Sequence, residues 1–225
     1  MPEYLPKGSD PVGGRHAQPV AIGPVELGVV FDRSSSMSHL RAAAVTGFNT
    51  LLDEQKKLGA PTRFSLSFFN DTVWVVHDGI PISDTGIMEP ADYQPCSNTA
   101  LYDGIGAMIE SIAGRVDHSP YPSRVLVAIL TDGQENCSIR FSHQEVFDQI
   151  SFRRSACNWQ FLFMGVGGGT VQTGLSLGIQ RSNIVEFGAD PVGVVKVMLA
   201  LSGAIRAYQL GDKNFALLLG EGRRR

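Results

Sequence analysis

Apolar runs of strand length alternate with amphipathic helical stretches along almost the whole chain, and no other feature narrows its folding options so far. Residues 25–31 (VELGVVF), 124–131 (RVLVAILT) and 159–166 (WQFLFMGV) are near-continuous apolar runs. That is the pattern of strands buried on both faces of a parallel sheet. Between the first two, Leu40, Ala44, Phe48, Leu51, Leu52 and Leu58 recur at helical spacing, and Gly59-Ala60-Pro61 ends that helix. A second helix carries Leu101, Ile105, Met108, Ile112 and Val116. Strand-helix alternation predicts an α/β fold: a doubly wound, mostly parallel sheet with helices on both faces.

The remaining segments fit that frame. RFSLSFF (63–69) and TVWVVH (72–77) flank Asn70-Asp71, a hairpin turn that makes this the one antiparallel pairing and places a strand at the sheet edge. Residues 78–98, with Gly79, Pro81, Gly86, Pro90 and Pro95, read as a long loop, a length usually reserved for function. Ser142 and Glu145 form a capping-box pattern opening a helix to about Ser155. A short helix near 171–178, a strand near 184–187, and a helix with Val194, Met198, Leu201 and Ile205 complete the pattern. The expected organisation is a flexible segment over 1–23, one domain over 24–210, and a C-terminal tail over 211–225 that could be strand, helix or disordered.

At 225 residues the chain suits one hydrophobic core. Its 43% apolar and 18% charged residues are ordinary for a folded protein. A net charge of −3 offers no global field for nucleic acid or an acidic membrane. The apolar stretches read as strand-length, short of the ~20 residues a membrane helix needs. The N-terminus is rich in Pro and Gly, without the basic-then-apolar order of a secretory signal. The odd set Cys96, Cys137 and Cys157 points to a reducing compartment, so the expected location is cytoplasmic.

Three loops at strand ends or helix starts carry hard oxygen donors: Asp32-x-Ser34-x-Ser36, Ser97-Asn98-Thr99 and Thr131-Asp132-Gly133. In an open α/β sheet, ligands bind outside the carboxyl ends of the strands. Carboxylates and hydroxyls without thiolate or imidazole suit Mg²⁺ or Mn²⁺ rather than Zn²⁺. Too few charged oxygens are present to saturate such an ion, which leaves a position for water or an outside carboxylate. Each motif alone has a bland reading: Asp32, Ser34, Ser36 or Thr99 as helix caps, and Asp132-Gly133 as a turn. The metal reading rests on the three together. Arg33 and Ser35 read as rim or local packing, and Glu135 and Asn136 as ion-tuning or solvated loop residues.

Asp32-x-Ser34-x-Ser36 after VELGVVF, Thr99 in NTALYDGI and Asp132 in LTDGQEN resemble the von Willebrand factor type A domain, in the family's order and over residues 24–210. More narrowly, the chain is similar to stand-alone bacterial type A domains. The resemblance implies a metal-ion-dependent adhesion site with Asp32, Ser34, Ser36, Thr99 and Asp132 as ligands of Mg²⁺ (or Mn²⁺ or Ca²⁺), direct or through water. It further implies a protein partner whose Asp or Glu completes the shell; the charge balance and the lack of a membrane-length apolar stretch add the expectation that neither nucleic acid nor membrane is a partner. The family often has Gly just before the threonine, where this chain has Ser97-Asn98, side chains that would narrow or polarise the approach to the ion.

Two other readings compete with this cation-dependent binding module. A structural or assembly subunit would use the ion only to stabilise the fold. A metal-dependent phosphoesterase would need a second Asp where Ser34 stands, and a serine hydrolase would need a Gly-x-Ser-x-Gly elbow. Neither is present, so the expectation is a protein that is not an enzyme.

Overall fold

A computed structural model of the chain describes residues 24–120 and 123–221. The expected segment over 1–23 and the terminal Arg223–Arg225 lie outside the described residues. Six strands form one sheet: β1 (Val25–Asp32), β2 (Thr62–Phe69), β3 (Val73–Pro81), β4 (Arg124–Thr131), β5 (Gln160–Val166) and β6 (Ile184–Phe187). Their order is β3-β2-β1-β4-β5-β6, with β2 and β3 antiparallel and the other neighbours parallel. The α/β architecture, with its single antiparallel edge strand, is the one the alternation predicts.

The helices are α1 (Arg41–Leu58), α2 (Leu101–Val116), α3 (His143–Cys157), α4 (Thr170–Ser176), α5 (Pro191–Gln209) and α6 (Leu218–Glu221). A 3-10 turn over Ser35–Leu40 precedes α1. The side-chain period of two divides β1 between two cores. Leu27, Val29 and Phe31 face the core closed by α1 and α5, while Val30 faces the one closed by α2 and α3. Each fully buried side chain of this size contributes roughly 1.5–3 kcal/mol, so both faces hold the sheet.

Three segments differ from expectation or resolve what it left open. The residues read as a loop from 78 belong in part to β3, which runs on to Pro81 opposite Arg63. A proline is tolerated there because it ends an edge strand. Gly79 allows the turn of the strand at φ +67°, where a side chain would run into Arg115. Helix α5, at 19 residues and mean hydropathy 1.3, is long and apolar enough by length and composition to cross a membrane, beyond the strand-length stretches read from sequence. In this fold it lies on α1 and gives Val194, Met198, Leu201 and Ile205 to the core. After it, Phe215–Leu217 and α6 are helical, with Phe215 and Leu219 buried and the Phe215 ring 5.0 Å from Tyr208.

The strand order places the topological switch between β1 and β4. Connections leave β1 toward β2 on one side and leave β4 toward β5 on the other. The crevice at their carboxyl ends is where such sheets bind ligands. Asp32 ends β1 and Thr131 ends β4.

Candidate metal centre at the carboxyl edge of the sheet

Asp32 is fully buried where β1 stops. Its Oδ1 accepts from Ser34 N at 2.7 Å, and its Oδ2 accepts from Thr131 Oγ1 at 2.5 Å. The first contact folds the Asp-x-Ser loop back on the carboxylate, and the second ties it to β4. Tyr93, also fully buried, donates its hydroxyl to the Asp32 carbonyl and stacks on Phe31 at 5.1 Å. Burial pushes that hydroxyl well above its usual range, so it holds the proton it donates.

The serine hydroxyls continue the chain of contacts. Ser34 Oγ stands 3.0 Å from Ser36 Oγ, and Ser36 Oγ donates to Asp132 Oδ1 at 2.5 Å. The first and third loops therefore meet through side chains. Thr99, buried, joins through Gly133: a Cβ built there would stand 2.9 Å from Thr99 Oγ1 and 3.5 Å from Asp32 Oδ2. Thr99 is held in turn by Asn136, which accepts from Thr99 N at 2.9 Å and donates its own N–H to Thr99 O at 3.0 Å. All five side chains singled out in the sequence converge on one crevice.

The helix-cap reading does not describe the contacts of Ser34 and Thr99, whereas Asp132-Gly133 does bend as a turn, with Gly133 N donating to Thr131 Oγ1 at 3.1 Å. Ser34 occupies the N-cap position of the 3-10 turn, yet its side chain makes no capping bond. Ala100, not Thr99, is the N-cap of α2, and again no capping bond comes from its side chain. The free N–H groups of α2 are met from the third loop: Tyr102 N donates to Glu135 Oε2 at 3.0 Å and to Ser138 Oγ at 3.1 Å. That arrangement leaves the Thr99 hydroxyl free of the cap role.

The crevice sets two buried or half-buried carboxylates close together. Burial raises the Asp32 carboxyl above its ordinary value, against the lowering by its Thr131 and Ser34 hydrogen bonds. Burial also raises Asp132, opposed by the Ser36 hydroxyl and reinforced by the charge of Asp32. Among the described residues no Lys or Arg forms an ion pair with either. Two desolvated carboxylates are costly when ionised, a cost that the backbone N–H groups of Ser34 and Gly133 at Asp32 and the charge of His39 at Asp132 offset in part. The oxygen spacings also suit a small ion: ligands about 2.1 Å from an octahedral centre lie roughly 3 Å apart. Nitrogen and sulfur are missing from the set, and no group of three or more His, Cys, Asp or Glu gathers here or elsewhere among the described residues, so hydroxyls make up the rest of the set.

No protein-family model matches the sequence, and no curated protein does. Solved structures do match. Proximal thread matrix protein 1 from the mussel byssus, in a structure with a zinc-occupied MIDAS motif, is 19% identical at a TM-score of 0.58 over 85% of this chain and 46% of its own. The pilus adhesin SpaC from Lactobacillus rhamnosus GG is 12% identical at a TM-score of 0.65, over 83% of this chain and 30% of the adhesin. A von Willebrand factor type A protein from Catenulispora acidiphila is 14% identical at a TM-score of 0.54, over 87% and 43%. The chain has the von Willebrand factor type A fold. It spans less than half the length of each of these three.

Within the type A fold the candidate site draws on residues the sequence reading passed over or left undecided. Asp103, on the first turn of α2, accepts from the backbone N–H groups of Ile139, Arg140 and Phe141 at 3.0, 2.9 and 2.8 Å. Glu135 accepts from Cys137 N, Ser138 N and Ser138 Oγ at 2.9, 2.7 and 2.7 Å, so it is a loop staple rather than a solvated residue. Asn70 does the same for the second loop, donating to the Cys96 carbonyl at 3.0 Å and accepting at its own carbonyl from Ala100 N at 2.6 Å. An acidic residue in the first turn of a helix was the one available signal for Asp103. Ser97 sits at φ +67°, the left-handed region that a glycine would favour, and its hydroxyl is bonded to Asp71 at 2.8 Å.

Proposed function

We propose that this chain is a divalent-cation-dependent protein-binding module, with Asp32, Ser34, Ser36, Thr99 and Asp132 holding the ion directly or through water. The observation that carries the reading is the Ser36–Asp132 contact at 2.5 Å within a crevice that also collects Asp32 and Thr99. When bound, the cation supplies an electrophilic position that a partner's Asp or Glu can fill. The chain's own residues fix the geometry: Thr131 and Ser34 N orient the Asp32 carboxylate, Asn136 holds Thr99, and Gly133 leaves room between them. Adhesin and matrix-protein neighbours sharing this fold support a binding role over catalysis. Zinc in the mussel protein's site is the reason to test Zn²⁺ beside Mg²⁺, Mn²⁺ and Ca²⁺. The free thiols of Cys96, Cys137 and Cys157 support a reducing, cytoplasmic setting.

Calorimetric titration of the purified chain with each ion tests the first half. One saturable site is expected, lost in Asp32→Ala and in Ser36→Ala, the second being an exposed position that leaves the core intact. Unchanged binding in both variants would sink the reading. Capture of a partner in Mg²⁺ against chelator tests the second half. A fold-stabilising ion is the competing reading, favoured by the tie from Asp32 to β4. In that case chelation lowers the melting temperature and leaves capture unchanged.

A further inference from the structure

The sheet edge beside the site is open. β3 pairs with β2 on one side and with no other strand among the described residues, so one row of its backbone donors and acceptors faces outward. Along it Trp74, Val75 and Val76 are 39%, 59% and 43% exposed. Proteins usually blunt such an edge with charge, proline or bulges. Here those features lie beyond Val75, in the register shifts past that pair, at Asp78 and at Pro81, and the stretch next to the site has none of them.

A groove of about 410 Å³ opens on this edge, with exposed Trp74 and Ile87 at its rim and buried Phe48 and Phe68 at its floor. It reaches the candidate metal loop through Arg33, which stands between Asp32 and Ser34. The Arg33 guanidinium lies 3.9 Å from the Trp74 ring centroid and 5.8 Å from that of Phe68. It forms no ion pair among the described residues, and its Nε is buried with no hydrogen-bond partner. Among the described residues no other Lys or Arg lines the groove. Burial lowers His77 from its ordinary value, and the Asp92 carboxylate accepts from Glu89 N at 2.7 Å. The groove therefore offers an apolar seat, a free strand edge and one cation waiting for an acid.

We propose that an extended segment of a protein partner adds to β3 as a new strand, seats an apolar side chain between Trp74 and Ile87, and sets a carboxylate against Arg33. Main-chain hydrogen bonds at the edge supply affinity, and alternate side chains supply specificity. A guanidinium stacked on an aromatic ring is already oriented for a paired carboxylate contact. The proposal rests on the reading of this chain as a protein-binding module, and not on the cation.

The probe is a blocked peptide of alternating threonine and valine with lysine ends and one central glutamate, beside its glutamine counterpart. Trp74 is the reporter, because the other tryptophan, Trp159, is buried. With the full chain, the glutamate peptide should give a saturable change in Trp74 emission and slow amide exchange along β3. Affinity should fall at least tenfold for the glutamine peptide and for Arg33→Gln. Equal binding of both peptides, full binding to Arg33→Gln, or unaltered β3 amides would overturn the proposal. The change should persist in chelator. Loss there would put the peptide's acid on the cation instead, overturning the groove while leaving the metal reading intact. A concentration-dependent emission shift without peptide would assign the edge to a second copy of the chain and equally overturn it.

Discussion

Gly133 lies against Thr99: a methyl group at its Cα would stand 2.9 Å from the Thr99 hydroxyl. Thr99 has little room to yield, since it is buried and its backbone is bonded on both sides to Asn136. Gly133→Ala should therefore cost about 1–3 kcal/mol of stability, the usual range for overpacking. It should weaken divalent-ion affinity as well, because the displaced group is a candidate ligand. Denaturant midpoints and a metal titration on the same protein check both. A stable variant with full affinity would show that Thr99 takes no part in the site.

Ser97 tests how far the second loop departs from glycine. Its φ of +67° is a conformation that costs a side-chain-bearing residue about 1 kcal/mol, partly offset by its bond to Asp71. Ser97→Ala keeps the strained backbone and loses the bond; Ser97→Gly loses the bond and relieves the backbone. The glycine variant should be more stable than the alanine variant by about 1 kcal/mol, read from urea midpoints at equal slope. Equal midpoints would mean that the loop is not strained at this residue.

The unequal legibility of these features has physical causes. Apolar periodicity and helix-ending Gly and Pro are local, so the strands, the helices and the capping box at Ser142 could be read directly. The Asp-x-Ser-x-Ser run and Thr131-Asp132-Gly133 were legible because both fall at strand ends. Strand order depends on which edges meet after collapse, and no local pattern encodes it. Gly79 and Pro81 read as loop punctuation, yet a glycine bend and a terminal proline are both compatible with an edge strand. Tyr93 and Asp103 were missed because their roles depend on partners 36 or more residues away.

Asp103 carries three backbone N–H groups of the 139–141 segment, two of them on one oxygen. Asp103→Ala leaves all three donors without that acceptor; the buried Phe141 N–H then costs about 1–3 kcal/mol, while water can reach the part-buried N–H groups of Ile139 and Arg140. A loss of about 1–3 kcal/mol is expected. The third loop should loosen with it, seen as faster amide exchange over 137–141. Asp103→Asn keeps one carbonyl acceptor and should fall between the variant and the parent. An alanine variant as stable as the parent would remove Asp103 from the loop's support.

Glu26 gives the fold a pH dependence away from the site. It is buried on β1, with Arg115 Nη2 at 3.3 Å and Arg63 Nε at 3.8 Å. Burial is the largest influence and raises its carboxyl above 4.5, while the charge and hydrogen bond of Arg115 act in the opposite direction. The folded chain thus holds this proton more tightly than the unfolded chain does. The associated stability is fully present below about pH 4.5 and is lost as pH rises through the folded value. Glu26→Gln cannot ionise, so the parent should lose stability relative to it as pH rises from about 4.5 toward neutrality. Paired denaturant midpoints across that range measure the difference. A parent that gains on the glutamine variant instead would show that Arg115 outweighs burial at Glu26.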